Sequence, residues 1–306
     1  MPTATTGPYA ARVRFTRAHG TGNDFVVLAD LDDRIGLSEG FVRALTDRHH
    51  GVGGDGVLRI GPGRGAAHVF MDYRNADGTI VEMCGNGVRV VAKHVVDHGL
   101  VAVDDVVVVG TRAGDRHVTV HRDAHGKVAT ATVDMGMAST DPSRVPFVTD
   151  AGDVAAHEFD VDGVGLTVSV VSMGNPHAVL VVDDVGTADV HGIGARLQDH
   201  PAFPQQVNVG FAHPVAPDRI ALRVFERGVG ETASCGTGAC AAVVALHRLG
   251  HTGERVSVEV PGGVLDVHLE PDGRVLMTGP AVEVAHGELD PHWLAAVRSD
   301  PVEVTA

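Results

Sequence analysis

Lysine is almost absent from this chain, occurring only at positions 93 and 127 of 306 residues. An enzyme built on pyridoxal phosphate needs a Schiff-base lysine. Lys93 falls inside a predicted helix and Lys127 inside a turn-like His-Gly-Lys segment, which argues against that cofactor. Cysteine is scarce as well. Three cysteines, an odd number in a long chain, do not form a disulfide framework. No Cys-x-x-Cys occurs, and the 19 histidines give no pair with convincing metal-ligand spacing. His49 and His50 are adjacent and point different ways on a predicted helix. No metal is expected. Positive charge is in deficit, with a formal net charge of −15, so nucleic acid is not an expected partner. No apolar stretch is long enough to span a bilayer. Residues 1–17 lack the apolar core of a secretion signal. A reducing cytoplasm is the expected compartment, with a small-molecule substrate rather than a membrane or a polynucleotide.

What the chain does contain is a repeat. Cys84-Gly85-Asn86-Gly87 and Cys235-Gly236-Thr237-Gly238 lie 151 residues apart, close to half the length. Each run precedes a helix-compatible stretch, 85–98 and 236–249, and each stretch ends at glycine, Gly99 or Gly250. At the same offset Asn75 lands on Glu226. Gly22-Asn23 lands on Gly174-Asn175 at an offset of 152. Strands are expected at 13–18, 25–29, 57–60, 68–73, 106–109, 117–120 and 128–134. In the second half they are expected at 167–173, 178–182, 207–211, 220–225, 256–260, 264–269 and 275–277. A helix capped by Ser38 is expected to reach about His49, and a terminal one to span 290–297. Only two helices look central. The expected fold is α+β, with two pseudo-symmetric domains, each a mostly antiparallel sheet wrapped around a central helix. Their expected limits are 1–133, with 280–306 returning to it, and 134–279.

A helix N-terminus exposes unpaired N–H groups and partial positive charge. It can bind a carboxylate, and a thiol placed there is expected to have a lowered pKa. Glycine at the second and fourth positions lets backbone approach a ligand. A single cysteine at a helix start is more often structural than catalytic. Two at matching positions suggest one thiolate and one thiol acting on a shared substrate. Cys240, among alanines on another face of its helix, reads as core. Gly51-Val52-Gly53-Gly54-Asp55-Gly56 formally contains G-x-G-x-x-G, but it follows a helix and precedes a strand, the wrong context for a dinucleotide. Polar residues gather around the cysteine motifs: Asn75, Asn175, His177, Asn208, Glu226 and Arg227. A lone asparagine at a strand end is usually a turn former. Several beside a thiol pair suggest a pocket that reads an amino acid.

The stretches HGTGNDFVVL (19–28), DYRNADGTIVEMCGNGVRVVA (72–92), SMGNPHAVLVV (172–182), VNVGF (207–211) and FERGVGETASCGTGACAA (225–242) resemble the diaminopimelate epimerase family. They span nearly the whole chain. The resemblance implies interconversion of LL- and meso-diaminopimelate, in lysine and peptidoglycan precursor biosynthesis, by a homodimer that uses no metal or pyridoxal phosphate. It implies that Cys84 and Cys235 are the acid/base pair, assisted by His177 and Glu226. It implies substrate binding by Asn23, Asn75, Asn175, Asn208, Glu226 and Arg227, with backbone N–H groups of Gly85, Asn86, Gly236 and Thr237 holding the reacting carboxylate. Arg227 would pair with the distal carboxylate. Two departures stand out. Gly56 replaces a common glutamine, and Ala178 a common cysteine. The competing readings are another amino-acid racemase or epimerase of the same fold, and a non-catalytic redox or binding protein with a regulatory disulfide.

Overall fold

The computed structural model describes residues 12–161 and 163–299. Most of the segment read for a secretion signal lies outside them. The first half contains β1 (Arg14–Gly20), β2 (Asn23–Ala29), α1 (Glu39–Thr46), β3 (Gly56–Pro62), β4 (Val69–Asn75) and β5 (Ile80–Val81). It continues with α2 (Gly85–Asp97), β6 (Val106–Gly110), β7 (Arg116–Arg122) and β8 (Val128–Met137), and β9 (His157–Val161) follows just past the midpoint. The second half contains β10 (Val164–Ser172), β11 (Pro176–Val181), α3 (Val190–Gln198), β12 (Asn208–Ala216), β13 (Arg219–Glu226) and β14 (Gly230–Thr232). It continues with α4 (Gly236–Arg248), β15 (Arg255–Val260), β16 (Gly263–Leu269), β17 (Arg274–Pro280), β18 (Val282–Glu288) and α5 (Pro291–Ser299).

The chain forms two compact units. One comprises Asp24–Ala129 with the described residues up to Gly20 and from Ala281; the other comprises Thr21–Asn23 and Thr130–Pro280. Their strand pairings run in parallel series. In the first unit β2 and β3 are parallel, β4 is antiparallel to β3 and β5, β4 and β6 are parallel, and β6 and β7 are antiparallel. In the second unit β11 and β12 are parallel, β13 is antiparallel to β12 and β14, β13 and β15 are parallel, and β15 and β16 are antiparallel. Antiparallel pairing also joins β9 to β10, and β18 to β1. Every strand from β1 to β9 thus has a counterpart nine places later, and α1 and α2 answer to α3 and α4.

Each central helix is enclosed by strands of its own unit. Helix α2 packs on β1, β3, β4, β6, β7 and β18. Helix α4 packs on β10 to β13 and β15 to β17. A helix surrounded on all sides must be apolar on all sides. In α4, Ala239, Cys240, Ala241, Ala242, Val243, Ala245 and Leu246 are all buried. Their small side chains let the strands approach from every direction. Cys240 is fully buried, a core residue as expected. The first unit has a further apolar cluster in which Phe41 and Leu45 of α1 meet Leu289 and Leu294 of the returning chain end.

Several local expectations fail for identifiable reasons. Helix α1 ends at Thr46, not near His49. The Asp47 carboxylate accepts the backbone N–H groups of both His49 and His50 at 2.7 Å, turning the chain out of the helix. Helix α3 and strands β5, β9, β14 and β18 were not expected. Helix α3 carries two glycines and little charge contrast, which weakens its periodic signal.

Leu246→Ala, in the fully enclosed helix, should cost about 2–5 kcal/mol, read as a lowered urea midpoint. Val148→Ser, at a position 66 % exposed, should stay within about 0.5 kcal/mol.

Candidate active site

Both motif cysteines occupy the N-cap position of their central helix. Cys84 caps α2 with φ −142° and ψ 119°, and its sulfur accepts the Gly87 N–H at 3.4 Å. Cys235 caps α4 with φ −112° and ψ 108°. The fourth-position glycines explain the motif. A Cβ on Gly87 would lie 3.1 Å from Leu58 and 3.5 Å from the Cys84 Cβ. A Cβ on Gly238 would lie 3.2 Å from both the Cβ and the sulfur of Cys235. Glycine therefore leaves room for the Cys235 thiol over the first turn of α4, and at Gly87 for the Leu58 side chain against α2.

In the first unit Cys84 is partly exposed, while Gly85 and Asn86 are buried. The Asn86 side chain turns inward and accepts from Arg89, which is fully buried and also donates to the Gly85 carbonyl. Asn75 ends β4, and its amide donates to Thr79 at 3.2 Å. Gly56 pairs with Asn75 across the sheet. Any Cβ at 56 would meet the Arg74 carbonyl at 2.4 Å and the Tyr73 ring at 2.6 Å. A glutamine cannot occupy this backbone, so the departure at Gly56 is built into the strand pair.

The second unit carries the larger set: Asn23, Asn175, His177, Asn208, Glu226, Arg227, Cys235, Gly236 and Thr237. Asn23 groups with this unit, where neighbouring Gly22 lies against Gly262 and Ala233. A chain of contacts leads to the thiol. His177 Nε2 donates to Asn175 Oδ1 at 3.0 Å, Asn175 Nδ2 donates to Thr237 Oγ1 at 3.3 Å, and Thr237 Oγ1 lies 3.6 Å from the Cys235 sulfur. Asn208 accepts the backbone N–H of Arg227 and donates to the Pro176 carbonyl, each at 2.9 Å. This ties the Arg227 turn to β11. The exposed Arg227 guanidinium donates to the Gln205 carbonyl at 3.0 Å. Glu226 accepts from the Thr232 hydroxyl.

Thr79 and Thr232 were missed by sequence reading. The repeat does not mark them, because at its offset Thr79 falls on Gly230 and Thr232 on Val81. Asn75 and Glu226 are equivalent, and each is held by a threonine from the short hairpin that follows it.

The electrostatics overturn one expectation. A helix N-terminus was expected to lower each thiol pKa. Cys235 goes the other way, well above the ordinary thiol value. Burial is the largest cause, and the neighbouring Glu226 charge adds to it; bonds from Thr237 and the Gly238 N–H oppose both and lose. Cys235 is therefore held as a thiol. His177 is also shifted, down to about 3, first by burial and then by the Arg227 charge. It stays neutral, and its Nε2 carries the proton that Asn175 accepts.

Both lysines reach Asp97. Lys93 bonds the Asp97 carboxylate at 2.8 Å and the Val128 carbonyl at 2.6 Å, and Lys127 bonds the Asp97 carbonyl at 3.1 Å. The absence of metal-ligand spacing among the histidines needs correction. His94 and His98, four residues apart on α2, meet Glu283 from β18, and one ligand atom of each lies within 4.8 Å of the others. Strand β18 was not expected, so Glu283 could not be placed.

The diaminopimelate epimerase family model matches residues 15–140 and 169–284. A diaminopimelate epimerase of Desulfovibrio desulfuricans is 44 % identical over 286 residues, covering 91 % of this chain and 99 % of that protein. One from Acidovorax ebreus is 47 % identical over 292 residues, covering 91 % and 98 %. Among solved structures, a probable proline racemase from Agrobacterium radiobacter aligns with a TM-score of 0.65 at 18 % identity, covering 95 % of this chain and 94 % of its own. A hydroxyproline epimerase from Agrobacterium vitis aligns with a TM-score of 0.62 at 17 % identity, covering 91 % of each. At such identities the solved structures establish the fold alone.

Two measurements follow from the geometry. Iodoacetamide at mildly alkaline pH should label Cys84 first and leave Cys235 and Cys240 largely unmodified, read by peptide mass spectrometry. Faster labelling of Cys235 would contradict its burial as a thiol. In a histidine-resolved NMR titration, the His177 ring should show no titration between about pH 5 and 8. Because its folded pKa lies below the unfolded value of 6.5, its contribution to stability is present above that value and is lost as pH falls toward 3.

Proposed function

The chain belongs to the diaminopimelate epimerase family, and from that membership we propose that it interconverts LL- and meso-diaminopimelate without a cofactor. The observation that carries the reading is the pair of cysteine N-caps at equivalent places in the two halves. The reaction needs a base for one face of the α-carbon and an acid for the other. One sulfur, as thiolate, takes the α-proton, and the electron pair left on carbon delocalises into the α-carboxylate. The other sulfur, as thiol, gives its proton to the opposite face. The two cysteines end with roles exchanged, and proton exchange with solvent resets them.

Negative charge grows on the carboxylate as the C–H bond breaks. Backbone N–H groups of Gly85, Asn86, Gly236 and Thr237, at the two helix starts, would stabilise it. In the form described, burial and Glu226 keep Cys235 protonated. That supports Cys235 as the donor and Cys84 as the base for one direction of reaction. His177, neutral and bonded to Asn175, would position that amide. Arg227 would bind the distal carboxylate as a bidentate donor, releasing the Gln205 carbonyl. Asn23, Asn75 and Asn208 complete the polar set. The two compact units would be the two epimerase domains. The family reading also carries a cytoplasmic homodimer; no helix among the described residues is long and apolar enough to cross a membrane.

The test is solvent exchange. In D₂O, with a chelator and no added cofactor, deuterium should enter the α-carbon of diaminopimelate, while proline should remain unlabelled. Cys84→Ala and Cys235→Ala should each lower the epimerisation rate by at least about a hundredfold, and Cys240→Ala should stay active. An active Cys235→Ala protein would overturn the two-base assignment.

A further inference from the structure

The C-terminal end of α2 carries a second convergence of chemistry, far from the thiol at its start. The helix has 13 residues, so the two ends are roughly 20 Å apart. His94 and His98 lie one turn apart there, and both reach Glu283. His94 Nδ1 is 2.7 Å from Oε1, and His98 Nε2 is 3.0 Å from Oε2.

The backbone accounts for the placement of Glu283. Strand β18 pairs with β1 in the register Thr16–His286, Arg17–Ala285, then Ala18–Glu283. Val284 is the extra residue of a β-bulge, and its side chain is 67 % exposed. A bulge re-aims the side chains around it. Glu283 and His286, three apart in sequence, are brought to one side, with His286 Nε2 3.6 Å from Oε2. The other ring nitrogen of His286 is fixed by the Thr16 hydroxyl at 3.0 Å. Three imidazoles therefore converge on one carboxylate, with ring centroids 4.3 Å apart for His94 and His98 and 5.4 Å for His98 and His286.

We propose that His94, His98 and Glu283 bind a divalent transition-metal cation of the zinc class, with His286 in reach as a fourth ligand. Zinc takes imidazole nitrogen and carboxylate oxygen at about 2.0–2.2 Å, which sets tetrahedral ligand atoms about 3.3 Å apart. The His94 and His98 contacts, at 2.7 and 3.0 Å, would open toward that value, and the His286 contact, at 3.6 Å, would close toward it. The nitrogen donors select against calcium and magnesium, which favour all-oxygen sites. The C-terminal end of a helix is the end that favours a cation. His94 is buried and anchors the site, while His98 is exposed and gives the ion a way in. The ion would tie returning strand β18 to the central helix of the first unit. Its part is structural, so the inference does not depend on the proposed epimerisation.

The test uses the whole protein, stripped with a chelator and then titrated with cobalt(II) alone and with zinc(II) by calorimetry. One ion per chain is expected, with the visible bands of nitrogen- and oxygen-ligated cobalt, no thiolate-to-cobalt charge-transfer band, and a raised melting temperature. His98→Ala, at an exposed position, should weaken binding by at least about tenfold, and Glu283→Gln should do the same with both histidines in place. Absence of saturable binding would overturn the site. So would unchanged affinity in both variants, or a thiolate band showing that the cysteines hold the ion.

Discussion

The constraint on which each unit depends is that a helix buried on every side still has to satisfy the polar groups at its own start. Four N–H groups at a helix N-terminus have no intrahelical partner. In both α2 and α4 the capping residue is cysteine, whose sulfur is a weak acceptor beside the usual serine or aspartate oxygen. A weak cap keeps the donor character of the first turn available for an anion. The demand for small residues follows from the same burial. Glycine at the fourth motif position lets Leu58 and Val224 press on the two helix starts, alanine along α4 lets strands close around it, and Gly238 leaves room for the Cys235 thiol.

Burial also sets the chemistry of the two caps apart. Cys84 is partly open to solvent, whereas Cys235 is enclosed and sits beside Glu226. A helix end favours a thiolate only while water or a cation shares the work. Once the sulfur is enclosed next to a carboxylate, desolvation and like charge win. The duplicated motif thus holds one thiol firmly protonated, and the difference arises from neighbours rather than from the motif. Asn75 on one side and Glu226 on the other occupy equivalent strand ends, and that change of residue adds its charge to the contrast that burial sets.

The repeat made the fold class legible, along with both central helices, their glycine stops and most long strands. The least legible parts were short or held by distant contacts. Helix α3 has a weak pattern of its own, although its counterpart α1 marks where it belongs. The Asp47 carboxylate ended α1 early by bonding two backbone N–H groups, an effect periodicity does not register. For the candidate site, motif residues could be named but not their surroundings. The rise of the Cys235 pKa depends on enclosure, which no local pattern encodes. The His94–His98–Glu283 group needs a contact across 189 residues of chain, set by the β1–β18 pairing and a bulge at Val284.

Strand β9 lies beside its partner β10 in sequence, but β18, its equivalent, reaches β1 from the far end of the chain; Thr16 and His286 are 270 residues apart. On the ribosome, the second unit has all its strands before the first one does. Until the last strand emerges, β1 presents an open sheet edge, the kind of surface that recruits stray strands. Closure of the first unit is then a late, long-range step, slow because a large loop must close before any pairing is gained. The order of birth and the order of completion are reversed: the unit begun first is the one finished last.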